Sequence, residues 1–148
     1  RHPRNRFVAG FIGSPQMNFL PVTASTVAPG GVTVSLPGGD KLLVPVASGG
    51  VVPGASLTLG VRPEDLSETG QGDARIPGQI LVVEHLGGET FAYTKTADGS
   101  QIMVKGDGNF EPRVGDTLSA GVNARYCHLF DESGTALPNL ARKSAAAA

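Results

Sequence analysis

The chain has no tryptophan, one cysteine, two tyrosines and six phenylalanines among its 148 residues. With Cys127 alone, no disulfide can close within the chain, which suits a reducing compartment. So few rings leave little surface on which nucleobases could stack. An excess of one charge is missing too, since 12 Lys and Arg stand against 13 Asp and Glu for a formal net charge of -1. That balance attracts no polyanion over distance, so nucleic acid is not an expected partner. No apolar run approaches the ~18 residues a membrane span requires. Arg1, Arg4 and Arg6 are not followed by the apolar core of a signal peptide.

Motifs that carry chemistry are also missing. A phosphate loop of the form G-x-x-x-x-G-K-[ST] wraps phosphates in backbone amides, and no such run occurs. Gly38-Gly39-Asp40-Lys41 lacks both its spacing and its hydroxyl, and no G-x-G-x-x-G opens a helix. His2, His85 and His128 are far apart, and Cys127-His128 has no second pair at ligand spacing. Neighbours on a strand face opposite ways, so neither Cys127-His128 nor Glu84-His85 converges on one point. Ser14, Ser25 and Ser119 lack the surroundings of an activated nucleophile. No catalytic residue, cofactor ligand or metal ligand is therefore expected.

What is present is turn chemistry and alternation. The 21 glycines and 11 prolines suit many short strands joined by tight turns. Period-two runs predict strands over Met17 to Val22, Val32 to Leu36, Leu42 to Val46, Leu57 to Val61, Gln79 to Leu86, Glu89 to Thr96 and Gln101 to Lys105. Pro37-Gly38-Gly39-Asp40 and Asp98-Gly99 read as hairpin turns. A long last strand is expected from Leu118 to Phe130, bent at Gly121, and a mobile polar loop from Ser67 to Ala74. The body reads as all-β, about eight to ten strands in a pair of small interleaved barrels or one distorted barrel. The halves share a rhythm without a clear sequence repeat.

Ahead of the strands, Phe7, Val8, Phe11 and Ile12 fall at helical spacing, after Pro3 and Asn5 and before Gly13 and Pro15. They predict one short amphipathic helix whose apolar face needs a partner, expected N-terminal to Arg1. Inside the body, Arg62-Pro63-Glu64 is the sharpest feature. Proline fixes the backbone there, and the flanking charges form either a plain turn or a polar anchor at a domain or subunit contact.

Four stretches together resemble a known family: NRFVAGFIGSPQMNFLPV (5–22), LGVRPEDL (59–66), VVEHLGGET (82–90) and CHLFDESGTAL (127–137). Their order and content are similar to the C-terminal part of the ATP-binding subunits of bacterial ABC sugar importers of the maltose and glycerol-3-phosphate type. The resemblance implies residues 1–20 as the last helix of the nucleotide-binding domain and its linker. It implies 21–140 as an OB-like regulatory (TOBE) domain and 141–148 as a disordered tail. Phe7, Val8, Phe11 and Ile12 would then meet the nucleotide-binding domain, and Arg62, Pro63 and Glu64 would form a regulatory or interdomain turn. The implied partners are a second copy, the nucleotide-binding domain, indirectly the membrane subunits, and in some members a regulatory protein. The implied location is the cytoplasmic side of the inner membrane. ATP and Mg would belong to the parent subunit and not to these residues. A free-standing oxyanion binder of the same barrel type is the alternative, because glycine-rich turns expose amides.

Overall fold

The computed structural model describes residues 16–140. The helix expected around Phe7 to Ile12, with its four apolar residues, and the expected tail lie outside them. Ten strands follow one another: β1 Asn18–Ala28, β2 Gly31–Ser35, β3 Lys41–Val44, β4 Ser56–Val61, β5 Leu66–Ser67, β6 Ala74–Leu86, β7 Glu89–Thr96, β8 Gln101–Gly106, β9 Thr117–Val122 and β10 His128–Phe130. They form two five-stranded sheets, ordered β10-β4-β1-β2-β3 and β5-β9-β6-β7-β8. Every pairing is antiparallel. Leu20, Leu59, Ile76, Ile102 and Val122 belong to a single buried cluster, so the two sheets share a core. The all-β, OB-like expectation holds.

The alternating side chains explain the strands directly. Val32 and Val34 on β2 face the core beside Leu42 and Val44 on β3, and the turn between them uses Gly38 and Gly39 at φ +97 and +106. Two strands run further than their alternation suggested. β1 continues past Val22 to Ala28, and β6 starts at Ala74 ahead of Gln79. The bulge between Ala24 and Thr26 broke the alternation of β1, and Pro77 hid the start of β6. Pro21 pairs with Thr58 and Pro77 with Ser119, each at a point where a second neighbour strand has not yet begun.

The expected long last strand is instead two strands in different sheets. β9 ends at Val122, a 3-10 turn spans Ala124–Tyr126, and β10 joins β4 in the other sheet. Buried positions shift phase across the turn, from Leu118, Ala120 and Val122 to Cys127 and Leu129. A turn of three residues swaps inward for outward, which a period-two reading carries straight through. The loop after Ser67 is tied down as well. Thr69 and Gln71 N–H donate to Ser67 Oγ at 3.3 Å each, and Arg75 Nε donates to Gly70 O at 2.8 Å.

The two halves repeat one another. β4 leads through a 3-10 turn at Pro63–Asp65 to β5, and β5 crosses to pair with β9. β9 leads through the second turn to β10, which crosses back to β4. Ser67 pairs with Gly121 and His128 with Gly60, so each half lends its last strand to the other at an equivalent register. This exchange makes the pair of small barrels interleaved.

Candidate functional site

The Arg62-Pro63-Glu64 segment lies at one of these crossings. Arg62 is extended (φ -77, ψ 149), Pro63 is buried, and Glu64 is exposed. Asp65 N–H donates to Arg62 O at 3.0 Å, and Leu66 N–H donates to Pro63 O. Proline at the first position of the turn sets φ and has no donor to leave unpaired. The turn packs against the edge strand β8, and the second turn packs against β3. Covering a sheet edge in this way removes a template for unwanted strand pairing.

Beside the first turn is an open cleft of about 350 Å³ lined by Glu64, Glu68, Glu89, Lys105 and Asp107, with Leu66. Lys105 Nζ meets Glu89 Oε2 at 2.5 Å. That hydrogen bond, with the charges of Glu89 and Glu64, raises the Lys105 pKa above the ordinary lysine value. Four carboxylates around one ammonium give the cleft a negative character, unsuited to an oxyanion.

Other polar groups hold structure together. His85 Nδ1 lies 3.0 Å from Thr90 Oγ1, while Tyr93 OH donates to Glu84 Oε1 at 2.7 Å on the opposite face. The bond to Glu84 raises the tyrosine pKa. Cys127 is buried at the end of the second turn, and burial pushes its thiol up to about 12. A thiol held neutral is a poor nucleophile. Among the described residues, no cluster of His, Cys, Asp or Glu could hold a metal ion, and no helix is long and apolar enough to cross a membrane.

Two features escaped the sequence reading. Asn18, at the start of β1, reaches the edge of β8 in the other sheet and bonds Met103 through its side chain. Leu81, Val82 and Leu86 on β6 are exposed, although their run of apolar residues reads as a buried strand. The signal that could have found the internal repeat is SLTLGV before Arg62 set against TLSAGV before Asn123.

Two strand-exchanged five-stranded sheets joined by a charged crossing turn define a pair of interleaved OB-like β-barrels. Residues 13–66 match the family described as the MalK OB fold domain, and residues 59–130 match the TOBE domain. The chain is 41% identical over 140 residues to the maltose/maltodextrin import ATP-binding protein MalK of Vibrio cholerae, covering 94% of the chain and 38% of that protein. It is 44% identical over 141 residues to the protein of the same name in Vibrio vulnificus, with the same coverage. The MalK of Yersinia pestis is 41% identical over 140 residues, again at 94% and 38%. The chain thus spans under two-fifths of the length of these relatives. Among solved structures, the cytoplasmic molybdate-binding protein ModG with molybdate bound superposes with a TM-score of 0.63 at 20% identity, over 76% of this chain and 94% of that one. At that identity the likeness concerns the fold. The chain belongs to the MalK-type OB-fold and TOBE domain family.

Proposed function

We propose that the chain is the regulatory and dimerisation domain of the ATP-binding subunit of a bacterial ABC importer for maltose or a related carbohydrate. The observation that carries this reading is the 41% identity to a maltose/maltodextrin import ATP-binding protein over 94% of the chain. The domain acts by contact. Pairing of two copies holds two ATPase halves together while they open and close, raising the effective concentration of one at the other. Its partners are a second copy, the nucleotide-binding domain of the same subunit, the transporter's membrane subunits indirectly, and a regulatory protein where one exists. It works at the cytoplasmic face of the inner membrane. ATP and Mg belong to the nucleotide-binding domain, because no phosphate loop occurs in this sequence and the charged cleft beside Glu64 would repel a triphosphate. The chain itself is not an enzyme.

A graft tests this reading. Replacing the matching segment of the Vibrio cholerae MalK with this chain should preserve maltose uptake. A chimera that accumulates and binds ATP but supports no uptake would overturn the importer role, and ATP hydrolysis by the chain alone would overturn the contact role. The oxyanion alternative draws on the ModG-like fold, and the carboxylates around Lys105 weigh against it at this cleft.

A further inference from the structure

An aspartate followed by glycine is open to a spontaneous rearrangement, because a residue with no Cβ leaves its amide nitrogen unshielded from the neighbouring carboxyl. The chain holds two such pairs, Asp98-Gly99 and Asp107-Gly108, and no Asn-Gly pair. Both stand in tight turns, and the two turns use them differently.

Asp98-Gly99 closes the hairpin between β7 and β8 with both reacting groups occupied. Gly99 is the fourth residue of its turn, and its N–H donates the closing bond to Thr96 O at 3.0 Å. The Asp98 carboxylate accepts from Thr96 Oγ1 at 2.6 Å and from Ser100 N–H at 3.0 Å. The bond from the Thr96 hydroxyl leads in holding this carboxyl below the ordinary aspartate value of 3.8, so its protonated form is scarce. Attack at Asp98 must first break the turn.

The turn after β8 places its pair two positions earlier. Asp107 is the first residue, since its carbonyl accepts the closing bond from Phe110 N–H at 3.0 Å. Gly108 is the second, and the N–H at that position closes nothing. Among the described residues that N–H has no hydrogen-bond partner, and Gly108 is exposed. Asp107 Oδ1 accepts from Asn109 N–H at 2.8 Å, which folds the carboxyl back over Gly108.

We propose that Asp107 is a site of spontaneous isoaspartate formation, while the hairpin turn protects Asp98. The Gly108 nitrogen bonds to Asp107 Cγ and gives up its proton, and the protonated carboxyl gives up its hydroxyl. One water leaves and a five-membered imide forms. Water then adds at the Asp107 carbonyl carbon, and the bond from that carbon to the Gly108 nitrogen breaks. The main chain now runs through Cβ and Cγ, and the former carbonyl is a free carboxylate. Mass and charge are unchanged.

The effect falls on the cleft beside the Arg62-Pro63-Glu64 turn, which Asp107 lines. The isomerised chain gains one atom between Gly106 and Phe110. Phe110 packs so closely over Gly106 that not even a Cβ would fit there. The lengthened turn works against that contact, and one of the four carboxylates of the cleft is displaced.

Incubation of the chain for weeks at mildly acid pH, followed by trypsin, separates the two pairs into fragments 96–105 and 106–113. Their isoaspartyl forms elute apart from the parent peptides at equal mass and accept methyl groups from an isoaspartyl methyltransferase. The folded chain should accumulate isoaspartate at 107 at least about ten-fold faster than at 98, the weight of the hydrogen bonds that attack at 98 must break. In denaturant the two rates should converge. Gly108→Ala should suppress the reaction at 107 and leave the fold intact, since its Cβ would meet nothing within 4 Å and Gly108 is not among the residues at positive φ. No product at 107, equal or reversed rates in the folded chain, a difference that persists in denaturant, or a rate unchanged by Gly108→Ala would each overturn the proposal.

Discussion

The side chain of Asn18 grips the backbone of Met103 from the other sheet: Nδ2 donates to Met103 O at 2.8 Å, and Met103 N–H donates to Oδ1 at 2.8 Å. An amide presents one donor and one acceptor in the spacing a peptide offers, so Asn18 acts as one residue of a missing neighbour strand for β8. It also ties the start of the first half to the edge of the second.

Asn18→Ala leaves both Met103 groups unpaired by protein in a part-buried site, and should cost about 1–3 kcal/mol of stability. Asn18→Asp keeps the acceptor and loses the donor, and should be no better than Ala. Urea denaturation of the three proteins checks this. An Asn18→Ala variant as stable as the parent would show the grip to be incidental.

The two glycines at the crossings should respond differently to a methyl group. A Cβ on Gly121 would stand 2.0 Å from the backbone oxygen of Gln71 and 2.7 Å from Gly70 C, so the tied loop itself must move. On Gly60 it would meet Met17 Sδ at 2.7 Å and Phe130 Cε2 at 2.9 Å. The thioether can swing aside, though the ring gives less readily. Gly121→Ala should cost upwards of about 2 kcal/mol, and Gly60→Ala clearly less. Thermal denaturation decides, and the reverse ranking would contradict the rigidity of the Ser67–Arg75 loop.

Legibility in the sequence followed local physics. The hairpins at Gly38-Gly39 and Asp98-Gly99 were readable because turn type and flanking alternation lie within a few residues. The start of β6 was not, because Pro77 argues against a strand unless it is known that no second neighbour lies beside it. The split of Leu118 to Phe130 was hidden for a related reason. A period-two pattern says nothing of which sheet a strand joins, and the 3-10 turn shifts its phase without interrupting its apolar residues. Arg62, Pro63 and Glu64 stood out as a turn. That the turn carries the chain from one sheet to the other, beside a carboxylate-lined cleft, depends on Lys105 and Glu89, which only the fold brings near. The helix expected over Phe7 to Ile12 lies outside the described residues.

The buried thiol of Cys127 gives a pH signature. Its pKa is raised from 9.0 to about 12, first by burial and then by the charges of Asp65 and Asp73. Between those values the unfolded chain loses a proton that the folded chain keeps, so stability falls as pH rises above 9. The slope from this one group approaches ~1.4 kcal/mol per pH unit. Cys127→Ala removes that slope at the cost of a small cavity. Comparing the two proteins at about pH 8 and pH 10 isolates it, because lysines and tyrosines titrate in both. Parallel curves would mean that the thiol ionises in place.

Asp131 organises the turn after β10. Its Oδ1 accepts from Ser133 N–H at 2.9 Å, Ser133 Oγ at 2.6 Å and Thr135 N–H at 3.0 Å. The turn brings Leu137 back, where its N–H donates to Leu129 O at 2.8 Å. The bond from the Ser133 hydroxyl, then those from backbone amides, hold the Asp131 carboxyl below the ordinary aspartate value of 3.8. For a depressed carboxylate the stabilisation is full above the unfolded pKa and is lost as pH falls through the lower folded one. Asp131→Ala should therefore lower stability at neutral pH, and the gap to the parent should close as the pH drops below the ordinary aspartate range. The Leu137 amide should exchange its hydrogen faster in the variant at neutral pH, while the Ile102 amide, on the far sheet, should not change. A gap that persists unchanged into acid would assign the effect to packing and not to the charge.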